Sequence, residues 1–248
     1  HTRYWRDWSS DVCSSDLRVA WEKFADPLKF SHGLIYVTSE MLERDGCHKP
    51  SIFIGNPGNY EDIIFSRNAR SSIIGMSIGQ VNSSHGIDIF CKLSESFPDF
   101  HFQIVMPEKE IRKVQKIVEN YKYVELRSTR CTQDYLEILS DWDFAVGPLA
   151  LWRKGITEAA PLKVRDSIQM KIPTYISYLD TNLSPHGTRS NASISPVGDN
   201  YEQIAHGFNE FLMNPPSERI LTDLTREISI STVERKRLDF VTQLLSKS

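Results

Sequence analysis

The fold is decided by the stretch SIIGMSI-GQVNSSHG-IDIFCKLSESF, residues 72–97. Residues 72–78 form a short apolar run rich in isoleucine, which predicts a buried strand, whereas residues 87–97 repeat apolar side chains at helical spacing. Residues 79–86 lie between them as a polar loop bounded by glycines. A strand, a loop and a helix in this order begin a βαβ crossover, which is the unit of a parallel sheet. The stretch therefore predicts an α/β fold.

Strand and helix patterns alternate along the chain on both sides of this stretch. Upstream, strands at residues 33–38 and 51–54 flank a short helix at residues 40–44, for which Ser39 is the N-cap. Parallel strands joined by helices are covered on both faces, so we predict a doubly wound parallel sheet. Downstream strands are predicted at residues 102–106, 123–126, 144–147, 174–177 and 193–197, and helices at residues 108–120, 134–139, 162–170, 201–213, 218–228 and 232–245.

Composition and turn residues divide the chain into four segments. Residues 1–17 begin with His rather than Met, are rich in Ser and Asp, and resemble the in-frame translation of a sequencing-library adapter, so we treat them as a non-native tail. A genuine polar N-terminal arm is the alternative. The Gly/Pro/Asn cluster at residues 55–59 suits a hinge. The other predicted segments are residues 18–56, a larger domain at residues 57–230 and a C-terminal helix at residues 231–248.

Composition excludes several classes of protein. The chain has 248 residues, of which 40% are hydrophobic and 25% charged, as in ordinary globular proteins. A net charge of -3 gives no general basic field, so we expect no nucleic-acid partner. No apolar run approaches the roughly 18 residues of a membrane helix, and no signal peptide is recognisable, which predicts a cytoplasmic protein. The four widely spaced cysteines favour reduced thiols over a zinc ribbon or a disulfide scaffold.

Ligands of open parallel sheets bind at the carboxyl ends of the strands, so the loops after strands carry the candidate site. The loop at residues 79–86 has neither the glycine pattern of a dinucleotide fold nor a P-loop, but it leads into a helix N-terminus that suits a phosphate. An ordinary polar loop is the alternative. Lys163 falls in the first turn of a helix that begins after Pro161, where a cation opposes the helix dipole unless an anion is bound there too. A Lys163 side chain that simply points into water is the alternative.

Several segments together give the chain a family resemblance. It resembles the C-terminal, donor-binding half of GT-B glycosyltransferases of the group 1 type in the loop at residues 79–86, in DFAVGPL at 143–149, in PLKVRD at 161–166 and in Ile172-Pro173. Residues 24–40 and 54–58 look like the last β-α unit of that family's N-terminal domain and its hinge. The resemblance covers residues 24–213. It implies a Rossmann-like donor domain with a remnant of the N-terminal domain, an upstream truncation, and a C-terminal helix that crosses back onto the N-terminal domain.

The resemblance also implies roles for individual residues. In that family an E-x7-E pair lies beside the donor, and Glu158 and Asp166 have this spacing here. Glu158 is therefore expected to contact the transferred sugar and Asp166 the ribose, while solvated or helix-terminal acids without a ligand are the alternative. The expected catalytic residues are Glu158 and Lys163. The expected donor-binding residues are Gly79, Gln80, His85, Gly86, Leu162 and Asp166.

Gln80 and His85 depart from the family's pattern, which places an Arg and a Lys at the matching positions to hold the diphosphate. Gln80 is neutral, and a histidine without a partner is mostly neutral at pH 7. Lys163 can supply the missing positive charge, with Arg153 or Lys154 as mobile helpers. A degenerate, non-catalytic relative is the alternative explanation of these two residues.

The activity implied by the resemblance is transfer of a glycosyl group from a nucleotide diphosphate sugar to a saccharide or lipid-linked acceptor. In that family cations and helix N-terminal amides can stabilise the departing diphosphate, so we expect no metal, and no cofactor besides the donor substrate. The acceptor site and any peripheral membrane contact are expected in the N-terminal domain, so residues 18–248 alone are expected to lack turnover. The alternatives are a non-catalytic nucleotide-sugar-binding protein and an enzyme similar to the sugar-nucleotide 2-epimerases.

Overall fold

The computed structural model describes residues 31–45, 49–60, 72–180, 183 and 201–246. The expected non-native tail at residues 1–17 and the strand expected at residues 193–197 lie outside these described residues. Within the described ranges, no helix is long and apolar enough to cross a membrane.

A small β-α-β unit comes first among the described residues. Strands β1 (Leu34–Tyr36) and β2 (Ser51–Phe53) pair in parallel, and helix α1 (Ser39–Asp45) connects them. A two-stranded sheet has little stability by itself, so it needs support from the rest of the protein. The last helix of the chain packs closely against this unit at Gly33 and so supplies part of this support. A Cβ added at Gly33 would lie only 2.6 Å from Leu244 Cδ1 of that helix.

In the described part of the chain, five parallel strands form the main sheet: β3 (Ile73–Ser77), β4 (His101–Pro107), β5 (Val124–Thr129), β6 (Phe144–Val146) and β7 (Thr174–Tyr175). Their order across the sheet is β5-β4-β3-β6-β7, and every neighbouring pair is parallel. The chain adds β4 and β5 on one side of β3 and then returns to add β6 and β7 on the other. The predicted doubly wound α/β sheet is therefore confirmed, with its reversal between β3 and β6.

Helices cover both faces of this sheet. Alternate residues of a strand point to opposite faces, and in β4 Phe102 and Ile104 join one core cluster whereas Val105 joins another. The first cluster includes Phe90 and Phe208 from helices, and the second includes Leu139. The helices are α2 (Ile87–Ser96), α3 (Glu108–Val118), α4 (Thr132–Ser140), α5 (Leu162–Gln169), α6 (Tyr201–Met213), α7 (Glu218–Glu227) and α8 (Ile230–Leu245).

Trp142 packs directly against the central strand. Its side chain is fully buried, and its indole Nε1 donates to Gln103 Oε1 at 3.0 Å. A Cβ added at Gly75 would lie 2.0 Å from the indole ring, so the ring can reach the sheet only because this residue of β3 is glycine. The second core cluster therefore depends on the pairing of Trp142 with Gly75.

The loops that follow β3 and β6 are tied together where the strand order reverses. Leu149 N donates to the His85 carbonyl oxygen and Ala150 N to the Ser84 carbonyl oxygen, both at 3.0 Å. Gly86 ends the first loop with φ of 67°, in the left-handed region, and a Cβ there would lie 3.0 Å from Leu149 Cβ. Glycine is therefore needed at this position for its conformation and for the close approach of the two loops.

Candidate functional site

A cleft of about 320 Å³ opens at the carboxyl ends of β3, β4 and β5. Ligands of doubly wound sheets bind at this edge. Gly79 and Lys163 come from separate segments of the sequence, and both line the cleft, together with Tyr60, Arg130 and Tyr135. Among the residues described, no group of three or more His, Cys, Asp and Glu side chains is placed to hold a metal ion.

Lys163 presents an ammonium group to this cleft from the first turn of α5. Its side chain is 39% exposed, and Nζ lies 3.4 Å from Asp166 Oδ2 and 4.1 Å from the centroid of the Tyr135 ring. A carboxylate and the face of an aromatic ring both attract a cation. The positive charge is therefore held at a defined place on the surface of the cleft.

Asp166 lies behind Lys163, and its side chain has no exposed surface. Its Oδ1 accepts a hydrogen bond from Asn59 Nδ2 at 2.9 Å, and its Oδ2 accepts one from the Tyr135 hydroxyl at 3.1 Å. Burial raises the pKa of Asp166 because it disfavours the charged form, and the nearby Lys163 charge and these two hydrogen bonds oppose the rise. Asp166 does not line the cleft, and its contact with a ribose stays a prediction.

This raised pKa predicts how the stability contributed by Asp166 changes with pH. An aspartic acid has an unfolded-state pKa of about 3.9. The pKa of Asp166 is higher in the folded protein than in the unfolded chain, so protonation of Asp166 stabilises the fold. This stabilisation is complete below about pH 3.9 and is lost as the pH rises through the folded-state pKa. Burial also raises the pKa of Tyr135, so its phenol stays protonated in this range. Relative to the wild type, Asp166→Asn should therefore gain stability as the pH rises from about 3.5 to about 7, measured by urea unfolding. A difference that does not change with pH would contradict the raised pKa.

The segment at residues 56–60, here called the linker, lies along the polar side of α5. The Asn56 carbonyl oxygen accepts a hydrogen bond from Arg165 Nε at 3.1 Å, and Tyr60 N donates to Gln169 Oε1 at 2.8 Å. The linker is therefore fixed to the same helix that carries the cleft lysine.

Glu158 contacts the small β-α-β unit. It is 3% exposed, and its Oε2 accepts hydrogen bonds from Ser39 Oγ at 2.6 Å and from Glu40 N at 2.8 Å. In return, Glu40 Oε2 accepts from Thr157 N at 3.1 Å and from Glu158 N at 3.0 Å. The Glu158 carboxylate thus lies at the first turn of α1 and does not line the cleft. The two acids with E-x7-E spacing have different partners, and a sugar contact by Glu158 stays a prediction.

The loop at residues 79–86 contributes one residue to the lining. A Cβ added at Gly79 would meet no neighbouring atom within 4 Å, so Gly79 borders open space at the end of β3. His85 Nδ1 accepts a hydrogen bond from Asn82 N at 3.3 Å, which occupies this nitrogen within the loop. Like Asp166, four further residues that were predicted to bind the donor do not line the cleft: Gln80, His85, Gly86 and Leu162.

Arg153 forms a bidentate ion pair with Asp88 of α2. Both guanidinium nitrogens lie 2.7 Å from the two carboxylate oxygens. These side-chain hydrogen bonds lower the pKa of Asp88, against the effect of its partial burial. The pair fixes Arg153 to α2, so its position does not support the expectation of a mobile phosphate contact.

Sequence reasoning missed the part of the cleft that follows β5. Thr129, Arg130 and Thr132 line it, but the apolar pattern predicts a strand end at residue 126. The strand continues to Thr129 through residues that are partly or fully exposed and therefore carry no apolar signal. The rule that ligands meet the carboxyl ends of strands identifies these residues once the strand end is placed correctly.

Comparison with solved structures identifies the fold. The chain is similar to sucrose-phosphate synthase from Thermosynechococcus elongatus, with a TM-score of 0.65 and 12% identity over 94% of this chain and 62% of that one. It is also similar to a glycosyltransferase from Rickettsia africae ESF-5, with a TM-score of 0.62 and 11% identity over 92% of this chain and 68% of that one. The chain has the fold of a GT-B glycosyltransferase.

A third solved structure with the GT-B fold is a mutant of S. aureus TarM in complex with fondaparinux, alpha-GlcNAc-glycerol and UDP. Its TM-score is 0.58 at 11% identity, over 90% of this chain and 46% of that one. The chain thus spans 46 to 68% of the length of these three structures. No protein-family model and no curated protein sequence matches the chain.

Proposed function

We propose that the cleft binds the diphosphate of a nucleotide-sugar donor and that the protein transfers the sugar to the hydroxyl of a saccharide or lipid-linked acceptor. The observation that carries this proposal is that the Lys163 ammonium and Gly79 line one cleft at the carboxyl edge of a sheet with the GT-B fold. The structures with a similar fold include glycosyltransferases, and one of them contains UDP.

Helix N-termini add to the attraction of this cleft for an anion. Thr132 and Lys163 both line the cleft, and they lie in the first turns of α4 and α5. In neither helix does the N-cap side chain accept a hydrogen bond from the N–H groups of the first turn, so a ligand can approach them, although the Asp134 carboxylate also lies in the first turn of α4. The positive ends of two helix dipoles together with one ammonium favour a diphosphate over a neutral ligand.

The same groups suit the transfer step. When the glycosidic bond to the donor breaks, negative charge develops on the departing diphosphate. A cation and N–H groups that are already in position stabilise this charge more than they stabilise the intact donor, which lowers the barrier. Contact of Glu158 with the sugar requires it to exchange its hydrogen bonds from Ser39 and Glu40 for bonds from sugar hydroxyls.

Removal of the lysine charge is the direct test of the proposed function. We expect the 248-residue chain to bind one of UDP, GDP and ADP in isothermal titration calorimetry, and Lys163→Ala to weaken that binding at least about tenfold. The reason is that a hydrogen bond to a charged group contributes about 1.5–3 kcal/mol. Binding is also expected to stabilise the wild type by about 2.7 kcal/mol at about a hundred times the Kd, observed as a thermal shift.

Lys116→Ala is the matched control, because Lys116 lies on the exposed side of α3 and does not line the cleft. Lys116→Ala removes the same charge, so the small weakening of nucleotide binding that we expect from it measures the contribution of net charge alone. Equal losses for Lys163→Ala and Lys116→Ala would contradict the proposed function, as would the absence of binding by all three nucleotides.

A nucleotide-binding protein without transferase activity is the second candidate. It is favoured by the position of the Glu158 carboxylate at the start of α1 and by the neutral Gln80 in the loop after β3. Two results together would select this candidate. A nucleotide sugar would bind in a way that depends on Lys163, and a protein that also carries an acceptor-binding domain would neither hydrolyse the donor nor transfer its sugar.

A further inference from the structure

The ammonium of Lys163 belongs to a connected set of side chains that extends from the cleft to the linker. Asp166 Oδ2 lies 3.4 Å from Lys163 Nζ and accepts the Tyr135 hydroxyl at 3.1 Å, while Asp166 Oδ1 accepts Asn59 Nδ2 at 2.9 Å. We call Asn59, Asp166 and Tyr135 the lysine support. It joins the linker, α4 and α5 at one buried carboxylate.

A carboxylate with no exposed surface lowers the stability of a fold unless its partners compensate for the lost hydration. Even a well-paired buried ion pair is often no more stabilising than apolar residues of the same shape. Asp166 is fully buried, yet its lysine partner is 39% exposed and turned toward the cleft. The effect of Asp166 on the position of this lysine explains the arrangement better than a gain in stability does.

We infer that Asp166 is a positioning residue that holds the Lys163 ammonium in the cleft, and that Asn59 makes this hold depend on the linker. The inference rests on the proposed function in taking the cleft ligand to be an anion. A free lysine side chain samples many rotamers and loses this freedom when it binds a ligand. A lysine already fixed against the Tyr135 ring and Asp166 loses less, so the anion binds more tightly.

The Asn59 contact couples the cleft to the small β-α-β unit. The linker connects β2 of that unit to the rest of the chain, and its last residue, Tyr60, lines the cleft. A linker that moves away from α5 breaks the hydrogen bond from Asn59 to Asp166, and the support of Lys163 becomes weaker. Because coupling between two sites is reciprocal, an anion in the cleft then also favours the linker position seen here.

Asn59→Ala tests the inference without changing any charge. Inorganic pyrophosphate is the probe, and its binding to the 248-residue chain is measured by isothermal titration calorimetry. We expect Asn59→Ala to weaken binding about threefold to tenfold, and to have no further effect when Lys163→Ala is already present. Additive losses in the double variant would overturn the inference, because they would show that Asn59 does not act through Lys163.

Asn56→Ala is the matched control within the linker. Asn56 Nδ2 donates to the Ala160 carbonyl oxygen at 2.9 Å, the same length as the Asn59 contact, and it does not touch Asp166. Binding by Asn56→Ala should equal that of the wild type, and a loss as large as that of Asn59→Ala would overturn the inference.

Asp166→Asn separates positioning from simple charge compensation. If Asp166 only offset the charge of Lys163, the loss of its negative charge would strengthen binding of pyrophosphate. A positioning role predicts weaker binding, by about threefold or more. Tighter binding by Asp166→Asn would therefore overturn the inference.

The proposed function and this inference fail in different ways. Pyrophosphate binding that depends on Lys163 but not on Asn59 leaves the proposed function intact and overturns the inference. If binding does not depend on Lys163, the proposed function fails, and 15N relaxation of the Lys163 ammonium without ligand decides the inference. The ammonium should be ordered in the wild type and in Asn56→Ala and more mobile in Asn59→Ala and Asp166→Asn, whereas equal mobility in all four proteins would overturn the inference.

Discussion

Replacement of Arg165 by methionine is expected to lower the free energy of unfolding by about 3–5 kcal/mol. Arg165 and Asp180 both have fully buried side chains, and two guanidinium nitrogens donate to the two Asp180 oxygens at 2.6 and 2.9 Å. Methionine fills much of the same space but leaves the Asp180 carboxylate in the interior without the guanidinium. It also removes the hydrogen bond from Arg165 Nε to the Asn56 carbonyl, so the linker loses one of its contacts with α5.

The pair of Arg153 with Asp88 provides the control, because it has the same bidentate geometry at the surface. Its side chains are 28% and 52% exposed. Arg153→Met should cost no more than about 1 kcal/mol, since water replaces the lost contacts. Urea unfolding followed by circular dichroism measures both variants, and the double variant Arg165→Met/Asp180→Leu should recover most of the loss. Equal losses at the two arginines would show that burial is not the cause.

Replacement of Trp142 by alanine is the second large effect, with an expected loss of about 3–5 kcal/mol. The indole is fully buried between the sheet and its neighbours in the second core cluster, so alanine leaves a cavity there. The change also removes the indole N–H that donates to Gln103 Oε1 at 3.0 Å. Trp142→Phe should cost less than alanine, because it keeps most of the packing and loses mainly the hydrogen bond.

Trp152 is the matched control for this experiment because it is 39% exposed. Trp152→Ala should lower the free energy of unfolding by about 1–2 kcal/mol, which is less than the loss at Trp142, because part of the Trp152 side chain lies in water in the folded protein. Gly75→Ala tests the same contact from the other side, since its added Cβ would lie 2.0 Å from the Trp142 ring. A Gly75→Ala variant as stable as the wild type would contradict the close packing of the indole on β3.

Local periodicity predicted helix ends better than strand ends. The helix predicted at residues 201–213 has those bounds in the structure, because its apolar spacing continues until the chain approaches Pro215 and Pro216. By contrast, β5 extends to Thr129, beyond the predicted end at residue 126. Arg127 and Ser128 are exposed on the edge strand of the sheet, so nothing in their side chains indicated a strand. This error concealed the contribution of Arg130 to the cleft.

The cleft itself followed from the sequence only in part. Gly79 and Lys163 were expected near one anion, because Gly79 follows the carboxyl end of a predicted strand and Lys163 lies at the start of a predicted helix. Both residues line the cleft. Gln80 and His85 were chosen by alignment with a family motif, and they do not line it. The contacts of Gln80 and His85 with a donor therefore stay predictions.

The sequence by itself determined the alternation of strands and helices and the doubly wound sheet, and with it the edge at which we expect a ligand, because the periods of strands and helices are local properties of the chain. Only the tertiary structure decided the partners of the charged residues. Glu158 bonds the backbone of Glu40, 118 positions away, and Asp166 bonds Asn59, 107 positions away. Such pairings depend on how separate elements pack against each other, and no local spacing encodes them.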